Sequence, residues 1–243
     1  MAHDGQDIAL NQPVVLRDLL DLTGSALQPC ETLLDRAKAS VAEMVTVDGR
    51  VSGSAIEANQ TAAHGLAWLA TYVESLRQMQ SWAKGLDTQD QFGELEQLVH
   101  QIAFGEYLNQ IAGGIPMNQG ELVRLQDMGL AADEAVLTMN PAATTLIQAG
   151  NTQGARTRLV ELMQERSAEA TAGRSGLDEE LEMIREQFRR FAIDKIEPYA
   201  HEWHLKDQLI PMEIIDELAE MGVFGLTIPE EYGGLGMSKA SMC

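Results

Sequence analysis

The chain has 243 residues, long enough for one large or two ordinary domains, each with its own core. Its formal net charge is −20, a surface balance that repels phosphate backbones and anionic membranes and so argues against nucleic-acid binding. Cys30 and Cys243 lack disulfide or zinc spacing, no run is long and apolar enough to span a bilayer, and the first residues carry no targeting leader, so the expected compartment is the cytoplasm.

Ala, Leu, Met, Glu and Gln fill the long stretches, a composition that favours helix because unbranched side chains lose little rotamer freedom there. Pro29 stands where the first turn of a helix would begin, and Leu33, Leu34, Ala37, Val41 and Met44 follow on one face. Asp48-Gly49 and Gly53 break that pattern. From Ala62, the residues Leu66, Leu69, Val73, Leu76, Met79 and Ala83 recur at steps of three or four. Gly85 is the expected stop. Asp90 can cap the next helix, which carries Leu95, Leu98, Ile102 and Ile111 and ends at Gly113-Gly114. Asn140-Pro141 separates two short helical candidates, and 152–166 is the last helix before a boundary. Trp68 and Trp82 fall on one predicted helix face, where such residues serve as core or interface anchors more often than as ligand platforms. No convincing strand alternation appears, so residues 1–172 are expected to form a helical bundle.

The segment 170–176 is small, polar and aperiodic and reads as a linker. Beyond it Leu177, Leu181, Ile184, Phe188 and Phe191 share a helix face, and Asp178, Glu179, Glu180 and Glu182 crowd the first turns, where the helix dipole favours negative charge. Pro198 should end or kink this helix. A shorter one starts at Pro211, carries Met212, Ile215 and Leu218, and stops at Gly222. His201 and His204 share a face but lack further ligands for a metal. The run 223–236 turns from apolar to glycine-rich, with Gly222 and Gly225 flanking a Phe224 ring expected to pack inward. Gly233, Gly234 and Gly236 do not sit in the setting of a phosphate cradle, for there is no strand-GxGxxG-helix and no following Lys-Ser/Thr. Ser238 would cap a third helix, of which about one turn is present.

The stretch Leu218-Ala-Glu-Met-Gly-Val-Phe-Gly-Leu-Thr-Ile-Pro-Glu-Glu-Tyr-Gly-Gly-Leu-Gly236, preceded by Phe188-Arg-Arg-Phe-Ala and Ile196-Glu-Pro, resembles the N-terminal helical domain of the acyl-CoA dehydrogenase family. The resemblance covers the chain from Leu177 onward. Together with the periodicity upstream it gives the expected all-α chain: a helical bundle module over 1–172, a linker over 173–176 and, from the resemblance, a partial acyl-CoA dehydrogenase N-terminal helical domain over 177–243. It implies that the parent protein is an FAD-dependent enzyme of fatty-acyl metabolism. A glutamate would take the α-proton of an acyl-CoA thioester while the β-hydride passes to flavin. An electron-transfer flavoprotein as acceptor and a homo-oligomeric state come with it. The base and the flavin-binding parts would follow Cys243, so no catalytic, FAD-binding or metal residue is expected here, and the fragment alone should be inactive. Tyr232, Gly233 and Gly234 are expected to help frame the acyl pocket. Relatives on the same fold also act as flavin oxidases or monooxygenases, and the bundle alone is open to a second reading as a non-catalytic interaction or regulatory module.

A weaker likeness joins Gly105 to Met117 and Glu121 to Asp127 to the family's C-terminal helical domain, where a Gln and a glycine cluster precede an Arg-rich helix. Pro116 and Gln126 depart from that pattern. Finally, Ile228, Tyr232, Leu235 and Met237 would lack later partners, so the tail from Thr227 is expected to be mobile.

Overall fold

A computed structural model describes residues 14–130, 140–166 and 173–242. It divides into two compact units, Met1–Arg174 and Ser175–Cys243. The helical candidate just before Asn140 and part of the 170–176 segment lie outside the described residues.

Unit 1 is a bundle. Its helices are α1 (Leu19–Val45), α2 (Gly53–Ala58), α3 (Gln60–Thr88), α4 (Glu94–Gly113), α5 (Pro141–Ala149) and α6 (Gln153–Glu165). Helix α1 packs against α3 and α5, and α4 against α3, α5 and α6. The residues that the three-and-four spacing selects fill the centre: Leu33, Leu34, Ala37 and Val41 from α1, Leu69, Val73 and Leu76 from α3, and Ile111 from α4. Phe104 and Leu108 complete it from α4.

Several helix ends differ from the sequence expectation. Helix α1 begins at Leu19, so Pro29 sits in its interior. An interior proline has no N–H for the carbonyl four residues back, which here belongs to Ser25. Asn140 Nδ2 donates to Ser25 O at 3.3 Å. The same side chain caps α5, its Oδ1 accepting from the amide of Ala143 at 2.9 Å. Gly85 does not stop α3, which runs on to Thr88. Asp90 does not cap α4. It turns the chain in the left-handed region (φ 58°), and Gly93 precedes the first helical residue.

Two small hairpins interrupt the bundle. Thr46–Val47 (β1) pairs with Arg50–Val51 (β2) through Asp48 and Gly49, both at positive φ as the tight primed turn requires. Ile115–Asn118 (β3) pairs with Glu121–Val123 (β4), laying the buried Ile115 opposite the buried Val123. The second hairpin corrects the weaker likeness. Where an Arg-rich helix was implied, 121–127 is a strand running into a 3-10 turn, with the Arg124 amide donating to Asp127 Oδ2 at 2.8 Å. These ribbons are the strands among the described residues, and the chain is all-α in class.

Unit 2 contains α7 (Glu179–Phe191), α8 (Glu197–Leu205) and α9 (Met212–Glu220). Asp178 caps α7 by accepting from the Leu181 amide at 2.9 Å. Acidic residues occupy its first turn and Arg189 and Arg190 its last, which matches the helix dipole at both ends. Pro198 does not stop the chain's helical path. A π-helical turn over Ala192–Ile196 changes the register, and α8 restarts with Pro198 in its first turn, where no N–H is needed. Lys195 pairs with Glu217 at 3.0 Å and ties that turn to α9. On α9 the buried residue is Ile214, while Met212 is exposed. Ser238 precedes a single 3-10 turn and makes no side-chain cap.

Candidate functional site

The glycine-rich loop of unit 2 is the first candidate. Gly222, at φ 82°, closes α9, and 3-10 turns follow at Val223–Gly225 and Glu230–Tyr232. The chain then doubles back. The amides of Leu235, Gly236 and Met237 donate to the carbonyls of Gly225, Ile228 and Leu226, each at 2.8 Å. Those of Tyr232, Gly233 and Gly234 donate to Pro229 or Glu230 at 2.9–3.3 Å. A side chain on Gly234 would run into the carbonyl oxygen of Ile228, so only hydrogen fits where the two limbs of the loop touch. In the segment expected to be a mobile tail, the backbone hydrogen bonds of 232–237 close within the loop.

The side chains behave otherwise. Tyr232, Gly233 and Gly234 lie in sequence at the loop's second turn, with the Tyr232 ring 76% exposed. Ile228 and Leu235 are exposed as well. Phe224 does not pack inward. It is 59% exposed, because the two glycines bend the chain without supplying an apolar surface for the ring to meet. The loop thus fixes its backbone and offers its apolar groups outward.

This geometry does not fit the diphosphate of a flavin nucleotide. Anion cradles work by pointing free N–H groups at the phosphate. Here every amide from Tyr232 to Met237 is spent on the loop's own carbonyls.

Within the same unit, an open cavity of about 460 Å³ is lined by Leu177, Leu181, Ile184, Phe188, Val223 and Leu226. The α7 stripe visible in the sequence forms its wall. Sequence spacing shows that these residues share a face, but it cannot show that the turn after α9 closes the other side.

In unit 1 the structure assembles a polar chain that the sequence does not reveal. Thr23 Oγ1 lies 2.7 Å from Gln80 Oε1 and 2.8 Å from the carbonyl of Leu19. With its one proton given to either, the hydroxyl accepts from His100 Nε2, 3.0 Å away. Gln80 Nε2 donates to Leu20 O at 2.9 Å. His100 Nδ1 is buried and unpartnered. Phe104, Phe92 and Trp82 surround the imidazole, and burial lowers its pKa to about 4. His100 is therefore neutral at pH 7 and links helices rather than shuttling protons. Residues 23, 80 and 100 share no local pattern, so no sequence signal could have joined them.

The remaining candidates have structural duties. Trp68 Nε1 donates to His64 Nε2 at 3.0 Å, and its ring meets Tyr72 edge-on. Trp82 meets Phe92 edge-on. His201 and His204 are exposed, and among the described residues no group of three His, Cys, Asp or Glu side chains is placed to hold a metal. Among them, too, no helix is long and apolar enough to cross a membrane.

Comparison with known proteins bears on both units. Residues 178–243 match the family model for the acyl-CoA dehydrogenase N-terminal domain. The chain is 59% identical over 231 residues to the (2S)-methylsuccinyl-CoA dehydrogenase of Cereibacter sphaeroides, covering 95% of this chain and 41% of that protein. An alignment of that length necessarily takes in most of unit 1. Shorter matches join it to the glutaryl-CoA dehydrogenase of Desulfococcus multivorans, 40% identical over 63 residues, which are 26% of this chain and 16% of that protein. They also join it to the 3-(aryl)acrylate reductase of Clostridium sporogenes, 45% identical over 58 residues, 24% and 15% of the two chains. The chain therefore spans less than half the length of each of these relatives.

Proposed function

We propose, from a C-terminal segment that belongs to the acyl-CoA dehydrogenase N-terminal domain family, that this chain is the leading part of an FAD-dependent dehydrogenase acting on an acyl-CoA thioester. The observation that carries the reading is the 59% identity to a (2S)-methylsuccinyl-CoA dehydrogenase, which continues through the bundle as well as the family segment. A short, branched, dicarboxylic acyl-CoA is accordingly the first substrate to try. In this reading 1–172 is a module specific to such enzymes, 173–176 the joint, and 177–243 the start of the dehydrogenase proper.

The residues of this chain contribute shape rather than reacting groups. Tyr232, Gly233 and Gly234 frame one side of the acyl pocket. The self-closed backbone sets their position, and the exposed ring supplies an apolar wall. FAD, when bound, accepts the β-hydride, and it is held by parts of the whole protein other than this loop, whose amides are already engaged. Electron-transfer flavoprotein as the acceptor, a homo-oligomeric enzyme and a cytoplasmic location belong to the same proposal.

The test is a spectrum. The whole protein that contains this chain is expected to purify with a flavin absorbance band that bleaches when (2S)-methylsuccinyl-CoA is added without oxygen. Bleaching only by other acyl-CoA thioesters would move the substrate, and peroxide formation in air would favour an oxidase of the same fold. A purified whole protein with no flavin, or with flavin that no acyl-CoA reduces, would sink the reading.

A further inference from the structure

We infer that residues 173–174 form a clasp at the end of unit 1, with Glu96 and Trp82 as its two jaws, so that the chain leaves the bundle from a fixed point. The Glu96 side chain stands in the first turn of α4 and is 2% exposed. Its Oε1 accepts from the Arg174 amide at 2.9 Å and lies 3.5 Å from the Arg166 guanidinium. From the neighbouring helix, Trp82 Nε1 donates to the carbonyl of Arg174 at 3.1 Å. Both backbone groups of one residue are thus held by side chains of two different helices.

Gly173 makes the approach possible. It sits at φ 94°, and a Cβ there would come within 2.9 Å of Leu95 Cδ2 and 3.3 Å of Glu96 Oε1. The jaws are themselves braced. The Trp82 ring is set edge-on against Phe92. The Glu96 carboxylate lies at the positive end of a helix, and a carboxylate this buried loses heavily if a donor is withdrawn. Two residues earlier in the same first turn, Glu94 holds Arg158 of α6 in a two-point pair at 2.9 and 2.8 Å. On the far side of the joint, Ser175 is occupied within its own unit. Its hydroxyl bonds Glu182 and accepts from the Leu177 amide.

Arg174 makes the clasp measurable, because trypsin cuts after arginine and must draw the backbone of residue 174 free to do so. The 243-residue chain is digested briefly, and cleavage at Arg174–Ser175 is compared with cleavage at the exposed Lys206–Asp207 bond. The wild-type ratio should favour Lys206 by about tenfold or more, since cleavage follows the population of the open form. Trp82→Phe keeps the aromatic contact and removes the donor, and Glu96→Ala removes the acceptor. Each should raise the relative cut at Arg174 by about tenfold. Hydrogen exchange of the Arg174 amide in the wild-type chain reads the same clasp without any substitution and should be slow. Equal wild-type cleavage at the two sites, or a fast Arg174 amide, overturns the inference. So does an unchanged ratio in Trp82→Phe when the bundle still melts as in the wild type.

Discussion

Unit 1 and unit 2 are made of similar amphipathic helices, yet they differ in what those helices meet. In unit 1, α1, α3 and α4 turn their apolar faces towards one another and Phe104, Leu69 and Leu76 disappear from solvent. In unit 2 the α7 stripe carries the same spacing but stays half-buried, and among the described residues only Ile214 and Leu226 are buried apolar side chains. Leu209 is 92% exposed, and Leu205, Met212 and Met242 are open as well. Periodicity announces that a helix has a face to hide. It says nothing about whether the partner belongs to the same unit.

The comparison can be broken most directly in the two cores. Phe104→Ala in unit 1 is expected to cost about 3–5 kcal/mol, because a closed core cannot collapse around the cavity. Ile184→Ala in unit 2 should cost about 1 kcal/mol, since that side chain is already partly in water. Urea unfolding followed by circular dichroism and by tryptophan emission measures both. Equal losses would mean that unit 2 has a core after all.

His100 sharpens the contrast through pH. Its pKa is lowered from 6.5 to about 4 in the folded bundle. A group whose folded pKa is depressed gives stability that is complete above the unfolded value and is lost as pH falls towards the folded one. The bundle should therefore lose about 3 kcal/mol between pH 6.5 and pH 4 on account of this one side chain. His100→Gln should flatten the difference in that window when unfolding is compared at pH 7, 5.5 and 4.5. A variant with the wild-type pH slope would remove His100 as the cause.

A smaller effect separates the two duties of Asn140. Asn140→Ala removes both the α5 cap and the donor to Ser25 and should cost about 1–2 kcal/mol. Asn140→Asp keeps an oxygen for the Ala143 amide and loses only the donor, so its cost should be less than half as large. Identical losses would mean that the α5 cap contributes nothing, and no loss in Asn140→Asp would mean that the Ser25 contact contributes nothing.

The smallest expected effect on the bundle comes from Gly234→Ala in unit 2. Melting of unit 1 should not move, while the amides of Leu235, Gly236 and Met237 should exchange faster as the two limbs of the loop are pushed apart. If those amides already exchange at the unfolded rate in the wild type, the loop is not closed by its own carbonyls.

These differences also mark how far the sequence could be read. Leu33, Leu69, Val73 and Leu76 were legible because a helix writes its buried face into spacing along the chain. Tyr232, Gly233 and Gly234 were legible as a group, being consecutive, but the outward turn of Phe224 was not, since it depends on an apolar surface that is absent beside it. Pro29 misled because the donor that tolerates it in mid-helix comes from residue 140. The His100 chain was invisible for the same reason, its links spanning helices rather than turns. An end or kink near Pro198 was legible, but its place in the first turn of a new helix was not, because a π turn leaves no mark in hydrophobic spacing.

The Asn140 contact also imposes an order of events. A chain made from its first residue onward completes the α1 segment long before residue 140 exists. During that interval the ladder of α1 has a gap opposite Pro29, and water alone answers the carbonyl of Ser25. The side chain that fills the gap is the one that starts α5, so the last repair to the first helix coincides with the arrival of the fifth. Synthesis halted between residues 45 and 140 would leave a helix present in outline and loose at its middle, and the next hundred residues would have to be made before it stiffened.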